Sequence, residues 1–379
     1  MLYIYNKDMR WLLLPLSWIY DAVTSVRNFM YDHGILSSTG YEMPVICVGN
    51  LAVGGTGKTP FIEYVIRLLQ AEGLNVAVLS RGYKRKSHGY VLADEHSTAS
   101  DIGDEPYQIK SKFPDVTVAV DADRREGISR LMTDAKTSGM TDAKTSDVDV
   151  ILLDDAFQHR RVQAGLNILL TDNNRLFSHD CLLPCGRLRE NAKGSRRADI
   201  VIATKVRADV EVDDALAERT RMDLGLEERQ SLFFSGIKYG NPYHAQKQIE
   251  LSRLADYNIL LIAGIANPEP LTTFLSRYAE YDYIQYADHH DFTSHDYAYI
   301  NEAYQRMPAD KPRIILTTEK DMARMDEGQM PMYDSVYTLP IEVQILNNGQ
   351  TMLNNKILDY VRENSRNSTI PQGEDDFKS

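Results

Sequence analysis

Short, mostly apolar runs at 45–48, 76–79, 116–120, 148–153, 168–170 and 200–203 alternate with longer stretches of helical periodicity. This alternation predicts βαβ units wound into a mostly parallel sheet, with ligands bound beyond the carboxyl ends of the strands. A break falls near 238–242. Beyond it a second α/β pattern predicts strands at 259–262, 314–316 and 336–339 and a final helix over about 354–363. Residues 367–379 are polar and aperiodic, which predicts a frayed tail. The expected organisation is an N-terminal amphipathic helix (1–36), a phosphate-loop α/β core (37–238), a smaller C-terminal α/β domain (239–366) and a disordered tail (367–379).

The segment 11–20 is strongly apolar, but Asp21, Arg27 and Asn28 interrupt it short of the ~20 residues that span a bilayer. Trp11, Trp18 and Tyr20, flanked by Lys7, Arg10 and Arg27, suit a helix lying in the headgroup region. The alternative is a helix packed on the protein's own core. No small-residue cleavage site follows, which argues against a signal peptide. Further on, 132–138 recurs word for word as 140–146. Two copies make no solenoid, and a local duplication in a surface loop without chemical role is expected.

Composition narrows the partners. With 379 residues, 43% hydrophobic, the chain can fill a sizeable core, and its net charge of −12 argues against a nucleic-acid binder. Any anionic ligand must be met by a local basic cluster. Three cysteines, Cys47, Cys181 and Cys185, form no disulfide framework and suit a reducing compartment. His179 with Cys181 and Cys185 lacks a fourth nearby metal ligand.

The sharpest signal is Val53, Gly54, Gly55, Thr56, Gly57, Lys58, Thr59 and Pro60, which follows the first predicted strand and opens a helical pattern. A glycine-rich turn feeding a helix N-terminus aims backbone N–H groups and the positive end of the helix dipole at phosphates. Lys58 can then reach the terminal phosphates and Thr59 can hold Mg²⁺. Pro60 sits where a missing N–H costs nothing. Ala52 stands where the full pattern has glycine, with Gly54 and Gly55 supplying flexibility. About a hundred residues on, Asp154 and Asp155 close another apolar run. They are candidates for Mg²⁺, a helix-capping role being the alternative. Arg124 or Arg125, after the 116–120 run, is a further phosphate-facing candidate.

In order, the chain carries this loop, Ser80-Arg81-Gly82-Tyr83, Gly103-Asp104-Glu105-Pro106, Asp154-Asp155-Ala156-Phe157-Gln158-His159, and Leu183-Pro184 with Gly186-Arg187-Leu188-Arg189-Glu190. Ala263-Gly264-Ile265-Ala266-Asn267-Pro268, Asp288-His289 and Leu316-Thr317-Thr318-Glu319-Lys320-Asp321 follow. The set resembles the tetraacyldisaccharide 4′-kinase family, the lipid A 4′-kinases of Gram-negative bacteria. Departures are the tandem insert, the polar tail and Cys185 beside Gly186. The resemblance implies transfer of the ATP γ-phosphoryl to the 4′-hydroxyl of a membrane-embedded, acylated glucosamine disaccharide 1-phosphate. It implies a monomer working at the cytoplasmic face of the inner membrane. By matching position, Asp104 is the catalytic carboxylate and His289 its partner, beside Lys58. Arg81, Arg124 and Gln158 join the loop in binding nucleotide. Glu190 joins Thr59, Asp154 and Asp155 at the metal, and Glu105, Arg189 and His159 meet substrate. The basic run Lys84-Arg85-Lys86 is a candidate for lipid headgroups or the 1-phosphate, or a solvated surface run.

Other classes share the loop. A partitioning ATPase would carry lysine at Val53, and a guanine-reading motif fails at Arg207 in Thr204-Lys205-Val206-Arg207, so ATP is expected. A non-catalytic nucleotide switch would lack Asp104 and His289 at the transferring phosphate.

Overall fold

The computed structural model describes residues 11–137, 148–207, 210–288 and 290–365. His289, the whole second repeat copy (140–146) and the tail 367–379 lie outside the described residues. In chain order the helix α1 (Leu14–Asp32) precedes β1 (Val45–Asn50), α2 (Lys58–Ala71), β2 (Val76–Ser80), β3 (Val91–Leu92), α3 (Ala99–Ile102), α4 (Asp104–Lys112), β4 (Thr117–Val120) and α5 (Arg124–Thr137). Next come β5 (Val150–Asp154), β6 (Leu166–Asp172), β7 (Ile200–Thr204), α6 (Asp214–Leu224), β8 (Ser231–Tyr239), β9 (Tyr243–His244), β10 (Lys247–Gln248), β11 (Asn258–Ala263) and α7 (Glu269–Leu275). The chain continues through β12 (Asp282–Gln285), α8 (Ser294–Arg306), β13 (Arg313–Thr318), α9 (Glu319–Met322), β14 (Val336–Leu339), β15 (Ile341–Ile345) and α10 (Gln350–Asn364).

Two sheets result. The larger has nine strands in the order β15-β8-β7-β6-β1-β5-β2-β4-β3, the smaller six in the order β10-β9-β14-β13-β11-β12. From β8 to β4 the large sheet is parallel, and β15 and β3 close its edges antiparallel. Its inner strands are mostly apolar because both faces are covered, with polar residues gathering at their carboxyl ends. Alternate residues part accordingly: Ile46, Val78, Leu152 and Ile202 pack with α2, whereas Val45, Ala77, Ile151 and Val201 enter the opposite cluster. The smaller sheet repeats this, with Leu261 against α7 and Ile262 against α8.

Three expectations shift. The final strand and helix belong to the large sheet, in contrast to the expected 239–366 unit: β15 pairs with β8, and Leu353, Ile357, Leu358 and Val361 of α10 fill the core against α2. Tyr360 fixes the return, its hydroxyl donating to the Val45 carbonyl at 3.1 Å and accepting from the Val45 N–H at 3.0 Å. The first repeat copy is helical up to residue 137, as the end of α5, where a loop was expected; its Met, Ala and Lys are good helix formers. Between β5 and β6 no helix forms, so the βαβ rhythm lapses where the chain crosses beneath β1.

Leu353 is fully buried. Leu353→Ala should therefore cost ~2–5 kcal/mol in urea denaturation; a loss under ~1 kcal/mol would mean that α10 does not share the core.

Candidate nucleotide and phosphoryl-transfer site

The parallel pairing of β1 with β5 sets Val48 opposite Asp154, so the loop after β1 and the carboxylates ending β5 meet at one edge. Gly57 caps α2 from the left-handed region at φ 82°, a conformation that costs glycine nothing. The loop is held from both sides. The Val53 N–H donates to the Arg187 carbonyl at 2.8 Å, and the Arg189 N–H to the Leu51 carbonyl at 2.7 Å. Opposite, the Thr204 hydroxyl donates to the Thr56 carbonyl at 2.8 Å, and the Lys205 ammonium to that of Gly55. Asn50 donates from its Nδ2 to the Thr56 hydroxyl at 2.7 Å. The loop backbone is thereby held at the N-terminus of α2, where N–H groups and the helix dipole suit an anion.

Lys58 lies 3.6 Å from Asp155, and Arg189 donates through Nη1 to both Asp155 oxygens at 2.8 Å. Burial pushes the Asp155 carboxyl up, but Lys58 and Arg189 outweigh it and hold it below the usual carboxylate range. Asp155 also sits at φ 49°, a left-handed strain typical of working residues. Its neighbour Asp154 is 2% exposed and accepts from the Ser80 hydroxyl at 3.0 Å. Burial, then Glu105 and Asp155, push the Asp154 carboxyl up to about 7. A divalent cation would relieve that excess of negative charge, so the donor set fits Mg²⁺. Among the described residues no group of three or more His, Cys, Asp or Glu forms a metal cage. Mg²⁺ in nucleotide sites usually takes only one or two carboxylates and completes its shell with phosphates and water.

Glu105 and Asp104 open α4, which is locked onto the segment after β2. Gly103 has φ 94°, and a Cβ there would stand 2.9 Å from the Tyr83 carbonyl oxygen, so Gly82-Tyr83 and Gly103-Asp104 touch backbone to backbone. Arg324 donates from Nε to Asp104 Oδ2 at 3.0 Å. Near the undescribed His289, His290 pairs with Asp296 at 3.0 Å and Asp288 with Lys320 at 2.7 Å.

Several expected ligands are engaged elsewhere. Glu190, an expected metal ligand, is wholly buried, and its oxygens accept from Asn28 at 2.8 Å, Arg197 at 2.8 Å and Gln158 at 3.1 Å. Gln158 also donates to the Asn50 carbonyl at 2.7 Å, at the end of β1. Arg124 is 3% exposed and donates to the backbone carbonyls of Asp121 and Asp154, bracing two strand ends where a phosphate contact was expected. Burial and then Arg124 hold the His159 imidazole below its ordinary range, and its Nε2 stands 3.8 Å from Asp123. Arg81 is exposed just beyond β2. In the basic run, Arg85 donates to the carbonyls of Gly89 and Val120, so only Lys84 and Lys86 project into solvent. Sequence reasoning passed over Asn50, Arg324, and Thr204 with Lys205. The last pair was read only as a failed guanine motif.

A glycine-rich loop between a buried parallel strand and a helix, with lysine against a strand-end carboxylate pair, defines a phosphate-loop enzyme of nucleotide-dependent phosphoryl transfer. The chain belongs to the tetraacyldisaccharide-1-P 4′-kinase family, LpxK, which it matches over residues 9–362. It is 48% identical over 387 residues to a tetraacyldisaccharide 4′-kinase of Bacteroides fragilis, with 98% of each chain covered. A protein of the same name from Flavobacterium johnsoniae is 43% identical, covering 94% of this chain and 98% of that one. In structure it is similar to the "apo" form of LpxK from Aquifex aeolicus in complex with ATP. The TM-score is 0.71 at 27% identity, over 93% of this chain and 99% of that one. The chain is thus an ATP-dependent kinase of the lipid A precursor in lipopolysaccharide biosynthesis.

Because the Asp154 carboxyl is raised from 3.8 to about 7, the folded chain keeps a proton that the unfolded chain has shed. Stability should fall as pH rises through that window. In metal-free buffer Asp154→Asn should exceed the wild type in stability at about pH 8, the difference closing below roughly pH 4. A difference independent of pH, followed by urea denaturation, would contradict the buried charge.

Proposed function

We propose that the edge formed by β1, β5 and the start of α4 transfers the γ-phosphoryl of ATP to the 4′-hydroxyl of tetraacyldisaccharide 1-phosphate, giving lipid IVA. The observation that carries this reading is electrostatic. Glu105 and Asp155 both act on buried Asp154, so α4, the phosphate loop and the strand-end carboxylates converge on one spot. The loop N–H groups from Gly54 to Thr59 cradle the phosphates, and Lys58 leaves Asp155 to lie along the β/γ bridge. Thr59, Asp154 and Asp155 would hold Mg²⁺, which supplies charge neutralisation on the phosphates. Asp104 orients the sugar hydroxyl and accepts its proton as the oxygen bonds to the γ-phosphorus and the bond to ADP breaks. His289, matched by position, supports Asp104. Arg189, Glu105 and His159 face the acceptor, with Arg81 near the phosphates.

The acceptor is a lipid, and α1 is built to meet one. Its polar side faces inward: the Ser17 hydroxyl donates to the Leu182 carbonyl at 3.0 Å, the Tyr20 hydroxyl to that of Arg189 at 2.7 Å, and Asn28 to Glu190. Its apolar side faces out, with Trp18, Ile19, Val23, Val26 and Phe29 more than half exposed, as is Trp11 just before the helix. No helix among the described residues is long and apolar enough to cross a membrane. An exposed tryptophan on a helix whose polar face is already used favours a peripheral position on a membrane surface; the cytoplasmic leaflet and a monomeric enzyme complete the proposal.

Lys58→Ala should abolish transfer of labelled phosphate from ATP to purified disaccharide 1-phosphate while leaving the fold intact; a tenth of the wild-type rate surviving would remove the assignment. Trp18→Glu combined with Val26→Glu should weaken sedimentation with anionic vesicles ~10-fold or more, the KM for ATP holding. Undiminished vesicle binding would end the membrane reading.

A further inference from the structure

The matched segments around Gly264 and Leu316-Thr317-Thr318-Glu319-Lys320-Asp321 lie in the smaller sheet and have no part in the phosphate loop. They nevertheless end in a contact with Asp104. Asp321 is wholly buried, and its Oδ2 accepts from the Gly264 N–H at 2.9 Å and the Thr318 hydroxyl at 2.7 Å. Its other oxygen stands 3.8 Å from Nη1 of Arg324, whose side chain is only 5% exposed. Nε of the same guanidinium donates to Asp104 Oδ2 at 3.0 Å, and the Asp104 side chain keeps 30% of its surface exposed. The sequence of contacts runs from the loop after β11, through the N-terminus of α9, to the carboxylate that opens α4.

We infer that Arg324 is a positioning residue for the phosphoryl-transfer step, fixing the orientation of the Asp104 carboxylate from the smaller sheet. This rests on the reading of Asp104 as the group that takes the sugar hydroxyl's proton. A guanidinium suits the task because it is planar, permanently charged and able to span two carboxylates, Asp321 behind and Asp104 in front. Docking of the two sheets has a separate fastening. Lys112 at the end of α4 pairs with Glu319 of α9 and lies 2.6 Å from Glu63 of α2. Glu63 is buried, and its carboxyl is pushed up by that burial against the pull of Lys112. The sheets therefore stay joined without Arg324, and what Arg324 adds is aim. A hydroxyl that must lie in line with a γ-phosphorus is sensitive to such aim, since a misplacement of about 1 Å can cost roughly 10²-fold in rate.

The test uses the full chain with ATP, Mg²⁺ and disaccharide 1-phosphate in mixed micelles. Arg324→Gln should lower kcat by ~10²-fold while the KM for ATP stays within about twofold, a split that a scaffold defect would not produce. Combined with Asp104→Asn it should be no slower than Asp104→Asn alone, because two groups serving one task do not add. Wild-type kcat in Arg324→Gln, strictly multiplicative losses, or a loss traced wholly to ATP binding would each overturn the inference. Should Arg324→Gln fail to fold, Arg324→Lys decides. It keeps the charge but not the fork, so kcat should fall about tenfold at unchanged ATP affinity, and an unchanged kcat overturns the inference. A fully active Asp104→Asn would instead remove the reading of Asp104 itself; a slow Asp104→Asn beside normal Arg324 variants removes only the role of Arg324.

Discussion

The lateral pairing of two parallel strands is the constraint on which the site depends. With Val48 opposite Asp154, the loop that follows β1 opens directly beside the carboxylates that end β5. Lys58 and Asp155 then lie 3.6 Å apart. Parallel strands leave their carboxyl ends on one side of the sheet, and the order reverses around β1, which has β6 on one flank and β5 on the other. A crevice at that switch point is where such folds bind ligands. The cost of gathering like charges is visible in Asp154, whose burial beside two other carboxylates raises its proton affinity.

Around that edge an acidic protein concentrates its positive charge. Lys58 and Arg189 face Asp155, Lys205 holds the loop carbonyl of Gly55, and Arg197 neutralises buried Glu190. The segment 182–191 unites these functions. It straps the phosphate loop through Arg187 and Arg189, covers Asp155, and receives the polar side of α1. The segment that holds the phosphate loop is thus also the one bonded to the polar side of α1, whose apolar side is exposed.

What was legible in the sequence was local. The phosphate loop declares itself because glycine, lysine and threonine act within eight neighbouring positions. The inner strands do so because burial on both faces demands continuous apolar runs. What escaped was long-range pairing. β15 alternates Ile341, Val343 and Ile345 with polar residues like any edge strand, and nothing local says that its partner lies about a hundred residues back in the large sheet. Glu190 shows a charge in the sequence but not that Asn28, 162 residues away, and Arg197 claim it. Nor does the sequence show the backbone carbonyls, those of Asp154 and Asn50, that Arg124 and Gln158 satisfy. Arg324 stood three residues past a matched segment, and only the packing of α9 on α4 gives it a role.

The central claim, that Asp104 acts on the acceptor hydroxyl and not on the nucleotide, is tested most directly by a single-turnover measurement with enzyme in excess over labelled ATP and saturating disaccharide 1-phosphate. Wild type and Asp104→Asn should bind ATP equally, and the rate constant for appearance of label on the 4′-oxygen should fall by ~10²-fold or more in the variant. An unchanged rate constant, or a loss accounted for by weaker ATP binding, would contradict it.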